Sequence, residues 1–339
     1  MREKKKAYAA AGVDIELANR VKKGLQERVR TTFGPEVLGR IGGFGGLFKA
    51  DLRGMKEPVL VSSIDGVGTK LKVAIALGRH ATIAQDLVNH CIDDIAVTGA
   101  RPLFFLDYIG SERLDPAVFD QLISGFTKAC KEGGCALIGG ETAQLPDLYH
   151  TGEYDLAGCI IGLVDRTKLL DGSRIVPSDI LIGLASNGLH TNGYSLARKV
   201  LLNKMQLNLL QKVGGLIRPL GEELLRIHRN YQPLMASVPD GRIKGAAHIT
   251  GGGLVDNLPR VLPATCDALI DTSSWKVPAI FRLIQRGGGI STEEMYEVFN
   301  MGIGMVLIVS KLHAAEVLAL TKGKVIGQIT PGSGRVLLD

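Results

Sequence analysis

The sequence has few aromatic residues and no long apolar run. Phenylalanine, tryptophan and tyrosine make up 5% of the 339 residues, and no basic stripe interleaved with aromatic residues accompanies the net charge of +6. Nucleic-acid binding is therefore not expected, whereas the excess charge suits small phosphorylated anions. No stretch of 18 or more apolar residues is present, and the N-terminus lacks the apolar segment of a secretion signal. We expect a cytoplasmic protein without a membrane partner.

Cysteine pairs of the CxxC type are also absent. The chain has five cysteines, mostly in apolar surroundings such as Ala157-Gly158-Cys159-Ile160. Such cysteines are typical of reduced thiols in the core of an intracellular protein rather than of a zinc site.

The two common glycine-rich nucleotide motifs are missing as well. The chain contains neither GxxxxGKS nor GxxxxGKT, and Gly43-Phe44-Gly45 does not continue as GxGxxG because Phe48 occupies the last position. If the chain binds ATP, it does so with a less common set of loops.

Glycine itself is abundant, with 43 of 339 residues, and it is clustered. Clusters of glycine mark sharp turns and places where the backbone approaches a ligand closely, because glycine has no Cβ. The clusters are Gly42-Gly43-Phe44-Gly45-Gly46, Asp65-Gly66-Val67-Gly68-Thr69-Lys70, Gly139-Gly140-Glu141-Thr142, Gly251-Gly252-Gly253 and Gly287-Gly288-Gly289.

Short apolar runs rich in β-branched residues alternate with helical patterns along the chain. The runs predicted to be strands are 59–61, 103–109, 156–164, 180–185 and 303–309. The stretch 165–179 between them is polar and rich in turn residues. We predict an α/β (α+β) protein of two domains, residues 1–170 and 171–339, the second a sheet flanked by helices.

The segment 82–98 has the pattern of a helix with two distinct faces. An apolar stripe recurs every fourth residue, at Ile83, Leu87, Cys91 and Ile95. Another face carries the polar residues Asp86, Asn89 and Asp93. For an arbitrary helix such a face is solvated, but the acidic residues near glycine turns elsewhere in the chain favour a binding site.

Acidic residues lie in or beside these glycine turns at Asp65, at Asp93-Asp94 and at Glu141. Mg²⁺ takes oxygen ligands, usually one or two carboxylates with phosphates and waters. Lys70 adds a cation able to meet phosphate oxygens. Each element alone is weak, since an Asp-Gly pair is more often only a turn, but together they are what a metal-nucleotide site requires.

Seven motifs, in order, resemble those of the phosphoribosylformylglycinamidine cyclo-ligase (aminoimidazole ribonucleotide synthetase) family. They extend over nearly the whole chain, and their joint agreement is highly specific. The motifs are Ala11-Gly12-Val13-Asp14, Gly42 to Gly46, Ser62 to Lys70, Arg101-Pro102-Leu103-Phe104-Phe105-Leu106-Asp107, Gly139 to Ala143, Asn187 to Ser195 and His248 to Gly253.

The resemblance implies a homodimer in which the N-terminal sheets of two subunits join into a shared barrel. It also implies that formylglycinamidine ribonucleotide and ATP become aminoimidazole ribonucleotide, ADP and phosphate, with Mg²⁺ required. Phosphorylation of the formyl oxygen would turn a poor leaving group into a good one, so that the enzyme would need no nucleophile of its own.

The resemblance further implies a set of site residues. Metal ligands would be Asp65, Asp93, Asp94 and Glu141. Catalytic residues would be His190, His248 and Asp94. ATP and its phosphates would be bound by Gly42, Gly43, Gly45, Gly46, Asp65, Gly66, Gly68, Thr69, Lys70, Asp86, Asn89, Gly139, Gly140, Glu141, Asn192, Gly251, Gly252 and Gly253. The other histidines, His80, His90, His150, His228 and His313, lack a comparable glycine context and are interpreted as structural.

Relatives of the same superfamily provide the alternatives. Selenophosphate synthetases generally use a cysteine or selenocysteine near the N-terminal glycine loop, whereas the first cysteine here is Cys91. Hydrogenase-maturation dehydratases end in a reactive cysteine, which this chain lacks. A kinase resembling thiamine-monophosphate kinase is the main enzymatic alternative, although the motifs of His190 and His248 fit it poorly. A non-catalytic nucleotide-binding partner is the alternative from another class.

Overall fold

The computed structural model of the chain describes residues 15–339, so the motif at residues 11–14 lies outside the described residues. The first half forms a sheet of four strands in the order β1-β4-β2-β3, in which only β2 and β3 are parallel neighbours. Its elements are α1 (Ile15–Arg30), β1 (Pro58–Gly66), α2 (Lys70–Leu77), α3 (Ala81–Ala96), β2 (Arg101–Ser111), α4 (Pro116–Glu132), β3 (Ala136–Gln144) and β4 (Tyr154–Asp165).

The second half forms a six-stranded mixed sheet in the order β10-β7-β9-β5-β8-β6. Its strands are β5 (Ile180–Ala185), β6 (Ile243–His248), β7 (Cys266–Ile270), β8 (Ile303–Val309), β9 (Lys324–Pro331) and β10 (Val336–Leu338). Its helices are α5 (Tyr194–Arg198), which continues as a π-helix over Lys199–Lys204, α6 (Leu220–Leu224), α7 (Gln232–Ala236), α8 (Gly253–Asn257), α9 (Ala279–Gly288), α10 (Thr292–Val298) and α11 (Ala314–Thr321).

Each predicted strand is present, and the mixed α/β class is confirmed. The two sheets are joined by the stretch 166–179, where the sequence predicts a domain boundary. The division into 1–170 and 171–339 stays a prediction. All five cysteines are free thiols, and four of them are buried. Among residues 15–339, no helix is long and apolar enough to cross a membrane.

Helix α3 is the central element of the first half, because it packs on the sheet with one face and on the second half with another. The predicted apolar stripe is confirmed, since its four side chains are fully buried. Burial of each large apolar side chain stabilises the fold by roughly 1.5 to 3 kcal/mol. The polar face is not solvated, because Asp86 and Asp93 are also fully buried.

The turn between β1 and α2 places two charged residues at the junction of the halves. Gly68 takes a left-handed backbone conformation with φ of 54°, which a residue without Cβ adopts at little cost. The chain therefore reverses sharply after Asp65 and enters α2 at Lys70.

The opposite face of the first sheet is open. Leu60 and Ile64 of β1 are 67% and 71% exposed, and the strand alternates between exposed and half-buried positions. An apolar edge strand of this kind is unusual on a surface that meets only water.

Candidate active site

Four histidines meet at the junction of the two halves, and we call them the histidine cluster. His90 comes from α3, His190 from the turn after β5, His228 from the segment between α6 and α7, and His248 from the end of β6. The ring of His228 stacks on that of His190 with centroids 4.1 Å apart, and lies 5.1 Å from His90 and 5.0 Å from His248. All four are buried.

A continuous chain of hydrogen bonds runs through three of these histidines and joins two carboxylates. Its links are Asp65 Oδ2 to His90 Nε2 (2.7 Å), His90 Nδ1 to Thr191 Oγ1 (2.8 Å), Thr191 Oγ1 to His228 Nδ1 (3.3 Å), His228 Nε2 to His248 Nε2 (3.0 Å) and His248 Nδ1 to Asp94 Oδ1 (2.8 Å). This series of hydrogen bonds thus crosses from the first half of the molecule to the second and back.

The positions of the protons follow from the Asp94 end of this chain. Burial opposes the charge of Asp94, but the hydrogen bond from His248 and the charge of His90 lower its pKa below the ordinary value, so it is ionised. His248 therefore donates from Nδ1. Since burial lowers the pKa of His248, the ring is neutral and its Nε2 accepts the Nε2 proton of His228.

The same reasoning gives the proton positions in the rest of the hydrogen-bond chain. Burial holds the pKa of His228 well below its ordinary value, so its Nδ1 is an acceptor and receives the hydroxyl proton of Thr191. Thr191 in turn accepts from Nδ1 of His90. His90 also faces the carboxylate of Asp65, so it carries both protons: burial opposes its charge, but Asp65 and Asp94 raise its pKa.

His190 differs from the other members of the cluster. It is a non-glycine residue whose backbone lies in the left-handed region, with φ of 62°. In sequence it lies two residues after Gly188 and three residues before Gly193. Its Nε2 accepts a weak hydrogen bond from the Asn187 amide at 3.4 Å, whereas its buried Nδ1 has no hydrogen-bond partner among the described residues. Burial holds its pKa well below the ordinary value. A buried donor without a partner is uncommon in folded proteins and is often found at functional sites.

Asp65 and Asp94 are the carboxylates of this region that solvent reaches, with side chains 43% and 25% exposed. Side-chain atoms of these two residues and of His90 lie within 4.8 Å of one another, but a doubly protonated His90 leaves only the two carboxylates able to bind a metal. Burial opposes the charge of Asp65, but the hydrogen bond from His90 lowers its pKa, so both carboxylates are ionised. Two ionised, accessible carboxylates fit a Mg²⁺ ion that keeps waters and phosphate oxygens as its other ligands.

The sequence analysis assigned four residues of α2 and α3 to ATP or metal binding, but the structure shows them bound to other groups of the protein. We call these residues, Lys70, Asp86, Asn89 and Asp93, the clamp. The ammonium of Lys70 lies 2.8 Å from a carboxylate oxygen of Asp86, and both side chains are completely buried. Lys70 also donates to the carbonyls of His190 (2.9 Å) and Arg226 (2.7 Å). All three N–H groups of Lys70 are thus used, and none is left for phosphate.

The polar face of α3 supplies the rest of the clamp. Asp86 accepts from the backbone N–H of His228 at 2.6 Å, and Asn89 donates to the carbonyl of the same residue at 2.7 Å. Asp93 accepts from the N–H of Tyr231 at 2.7 Å. Burial raises the pKa of Asp93 well above its ordinary value. A completely buried carboxyl that already accepts a backbone N–H is not accessible to a Mg²⁺ ion, so the structure gives no support to the predicted metal role of Asp93.

Glu141 lies too far from Asp65 to share an ion with it inside one chain. Both belong to the four-stranded sheet, in which Gly66, Ala157, Tyr108 and Glu141 are successive partners across the strands. Three strand spacings amount to about 14 Å. Glu141 is exposed and is therefore accessible to a ligand at β3.

The predicted glycine loops occupy several places around the molecule. Residues 42–46 form an exposed loop in which Gly42 has φ of 88°. Gly139 and Gly140 lie in β3, and a Cβ on Gly139 would come within 3.5 Å of Leu106. Asn192 lies beside the third loop, since a Cβ on Gly251 would lie 3.2 Å from its Oδ1. Gly252 and Gly253 open α8, and Thr69 shares a hydrogen bond of 3.0 Å with Ser195.

Sequence reasoning missed His90, His228 and Thr191. His90 had a usable signal, because it lies four residues from both Asp86 and Asp94 and therefore shares their side of a helix. His228 had none, since tertiary structure alone brings it to residues of α3 that are 139 positions away in the chain.

Models of two protein domains match nearly all of the described chain and define its class. Residues 50–164 match the N-terminal domain, and residues 176–339 the C-terminal domain, of AIR synthase related proteins. The chain is thus a member of that class.

Relatives narrow the class to one enzyme. The chain is 50% identical over 322 residues to the phosphoribosylformylglycinamidine cyclo-ligase of Syntrophotalea carbinolica, covering 95% of this chain and 92% of that one. It is 46% identical to the enzyme of the same name from Bacillus mycoides, covering 98% of both chains. The chain belongs to the phosphoribosylformylglycinamidine cyclo-ligase family of enzymes.

Solved structures of distant relatives have the same fold. A thiamine-monophosphate kinase from Stenotrophomonas maltophilia matches with a TM-score of 0.67 at 19% identity, covering 96% of both chains. The hydrogenase maturation protein HypE in complex with ATP matches with a TM-score of 0.68 at 17% identity, covering 97% of this chain and 93% of that one. At these identities the likeness concerns the fold alone.

Proposed function

We propose that the chain catalyses the ATP-dependent cyclisation of formylglycinamidine ribonucleotide to aminoimidazole ribonucleotide, with release of ADP and phosphate, a step of purine biosynthesis. The observation that carries this proposal is the 50% identity over 95% of the chain to a cyclo-ligase of that name. A requirement for Mg²⁺ and a cytoplasmic location are parts of the same proposal.

The chemistry explains the need for ATP. An amidine nitrogen must attack a formamide carbonyl and expel its oxygen, which is a poor leaving group. Transfer of the γ-phosphoryl group to that oxygen allows it to depart as phosphate, and no covalent enzyme intermediate is required. Catalysis then consists of positioning and charge stabilisation. The candidate active site suits this task, because it combines two ionised carboxylates with a positively charged His90.

Asp65 and Asp94 are the residues that we propose to hold Mg²⁺. Both are ionised and reachable from solvent, as the metal requires. The ion would neutralise charge on the phosphates of ATP. The hydrogen bond from Ser63 to Asp94 (2.9 Å) and that of Asp65 with His90 orient the two carboxylates.

Backbone N–H groups of glycine loops are the proposed contacts of the phosphate groups. They need no side chain, and the loops allow close approach. The residues concerned are Gly42, Gly43, Gly45, Gly46, Gly66, Gly68, Thr69, Gly139, Gly140, Asn192, Gly251, Gly252 and Gly253. Glu141 would contribute to ATP binding from its exposed position in β3, away from the ion held by Asp65.

Two histidines have proposed roles in the chemistry. For His190 we propose a catalytic role through its unpaired Nδ1, which is buried in this structure and must be uncovered to meet a substrate oxygen. His248 fixes the orientation of Asp94 through its Nδ1 proton and is held by His228 on its other side. Any shift of His248 would therefore move a proposed metal ligand.

A comparison of substrates tests the proposed function. With purified protein, Mg²⁺ and ATP, we expect ADP to form with formylglycinamidine ribonucleotide, one ADP for each aminoimidazole ribonucleotide produced. Thiamine monophosphate should give no ADP above background. The reverse pattern would establish a kinase instead, and no ADP with either substrate but intact nucleotide binding would indicate a non-catalytic partner.

We also propose that two subunits associate through the open face of the first sheet. The exposed side chains of Leu60 and Ile64 support this, since a partner sheet would cover them. Sedimentation should give about twice the chain mass of 36.2 kDa. Leu60→Asp should shift the protein towards the monomer, whereas Leu210→Asp, at an exposed leucine of the second half, should not. A monomeric and fully active wild-type protein would contradict the proposal.

A further inference from the structure

The clamp connects the two halves of the molecule through backbone groups, and this is its unusual feature. Its side chains bind the carbonyls of His190, Arg226 and His228 and the N–H groups of His228 and Tyr231. Two of these residues carry rings of the histidine cluster. The clamp side chains come from α2 and α3 in the first half, whereas every backbone partner belongs to the second.

The two charged side chains of the buried pair, Lys70 and Asp86, also form hydrogen bonds with backbone groups of the second half. Lys70 and Asp86 are both fully buried, and each would be costly there without its partner. Lys70 donates to two carbonyls more than 35 residues apart in sequence, those of His190 and Arg226. Asp86 accepts from the N–H of His228, two residues after Arg226. Hydrogen bonds to charged groups are stronger than those between neutral groups. The backbone of 226–231 is therefore fixed relative to α3.

We propose that Lys70 and Asp86, with Asn89, are positioning residues that hold His190 and His228 in the geometry needed for ring closure. They do not touch ATP. This rests on the proposed function for its kinetic consequence, but the geometric part stands independently. Lys70 donates to the backbone carbonyl of His190, whose backbone has the left-handed conformation. This hydrogen bond thereby keeps the His190 ring stacked on that of His228.

The first test is Asn89→Ala, because this position is only half-buried and carries no charge. Misplacing a catalytic group by a fraction of an ångström to 1 Å can cost on the order of 10- to 100-fold in rate. We expect kcat to fall about 10-fold, with the Kd for Mg-ATP, measured by equilibrium dialysis without turnover, unchanged within about 2-fold. Gln85→Ala is the matched control, since the Gln85 amide donates to the carbonyl of Ala81 within α3 itself; its kcat should stay at the wild-type value.

The second test addresses Lys70 directly. Lys70→Met alone would leave Asp86 buried and unpaired, so it is combined with Asp86→Leu, which removes both charges at once. The double variant should bind Mg-ATP like the wild type and lose about 100-fold in kcat. Loss of Mg-ATP affinity by about 10-fold or more with kcat preserved would instead show that Lys70 contacts phosphate, and would overturn the proposal.

Hydrogen exchange provides a readout that does not depend on activity. The N–H groups of His228 and Tyr231 donate to Asp86 and Asp93. In Asn89→Ala, and in the double variant if it folds, the peptide spanning 226–231 should exchange faster than in Gln85→Ala. Unchanged exchange in Asn89→Ala would overturn the clamp, whether or not the wild type proves to be a cyclo-ligase. An inactive wild type with the expected exchange pattern would reject the proposed function alone.

Discussion

Asp93 and Asp94 are neighbours in the chain, yet the fold places them in opposite environments. Asp93 points into the junction of the two halves, is completely buried and accepts a backbone N–H. Asp94 is 25% exposed and is bound to His248 and Ser63. Burial raises the pKa of Asp93, whereas the hydrogen bond and charge near Asp94 outweigh burial and lower its pKa. Since successive residues of a helix point about 100° apart, one residue of the acidic pair faces the protein interior and the other remains accessible to a ligand.

The same distinction separates Asp86 from Asp65. Asp86 is buried against Lys70, and burial raises its pKa to about 6 even with the ammonium nearby. Asp65 reaches solvent at the end of β1. Acidic residues that look equivalent in sequence thus divide into those that hold the halves together and those available to a ligand.

The largest effect should come from breaking the buried pair. Asp86→Ala leaves the ammonium of Lys70 without a counter-charge in a fully buried place. Removing one partner of such a pair costs about 3 to 5 kcal/mol. Urea denaturation at fixed protein concentration should show this loss in the free energy of unfolding. A loss below about 1 kcal/mol, the usual value of a surface pair, would mean that the pair is not buried in solution.

Asn substitutions at the neighbouring positions should separate the two roles most clearly. Asp94→Asn keeps the shape but removes the charge, and should lower kcat by about 100-fold or more while the thermal midpoint stays near that of the wild type. Asp93→Asn keeps an oxygen acceptor for the N–H of Tyr231 at a completely buried position, so kcat should change by less than about 3-fold.

Steady-state kinetics at saturating Mg²⁺, with the same preparation of both variants, provide the measurement. Asp65→Asn should behave like Asp94→Asn. Equal losses in Asp93→Asn and Asp94→Asn would erase the distinction between the buried and the reachable carboxylates.

The smallest effect is expected for an ion pair at the surface. Lys128 and Glu132 lie four residues apart on α4, with side chains 56% and 60% exposed. Lys128→Ala should change the free energy of unfolding by no more than about 0.5 kcal/mol, and the change should shrink in high salt. This variant calibrates the loss in Asp86→Ala, because the two pairs differ mainly in burial.

Local patterns in the sequence predicted the mixed α/β class, helix α3 and five of the ten strands found among residues 15–339. The stripe of α3 and the strands follow from apolar periodicity, which depends on near neighbours. The seven motifs led to the correct family. The association of two subunits and the domain boundary stay predictions.

The candidate site was only partly predictable. Asp65 and Asp94 were named from their glycine context, and the structure brings both to His90. Lys70 follows Gly68-Thr69, which favours a phosphate contact in sequence, but its burial depends on carbonyls 120 and 156 positions away. His228 joins the cluster only through such long-range contacts, so no local pattern could identify it.

The central claim is that ATP activates the formyl oxygen for ring closure. Substrate labelled with ¹⁸O at that oxygen, incubated with enzyme, Mg²⁺ and ATP, tests it when the released phosphate is examined by mass spectrometry. The account predicts that the label appears in inorganic phosphate, one labelled phosphate for each ring closed. Unlabelled phosphate, with the label recovered in water while aminoimidazole ribonucleotide still forms, would contradict it.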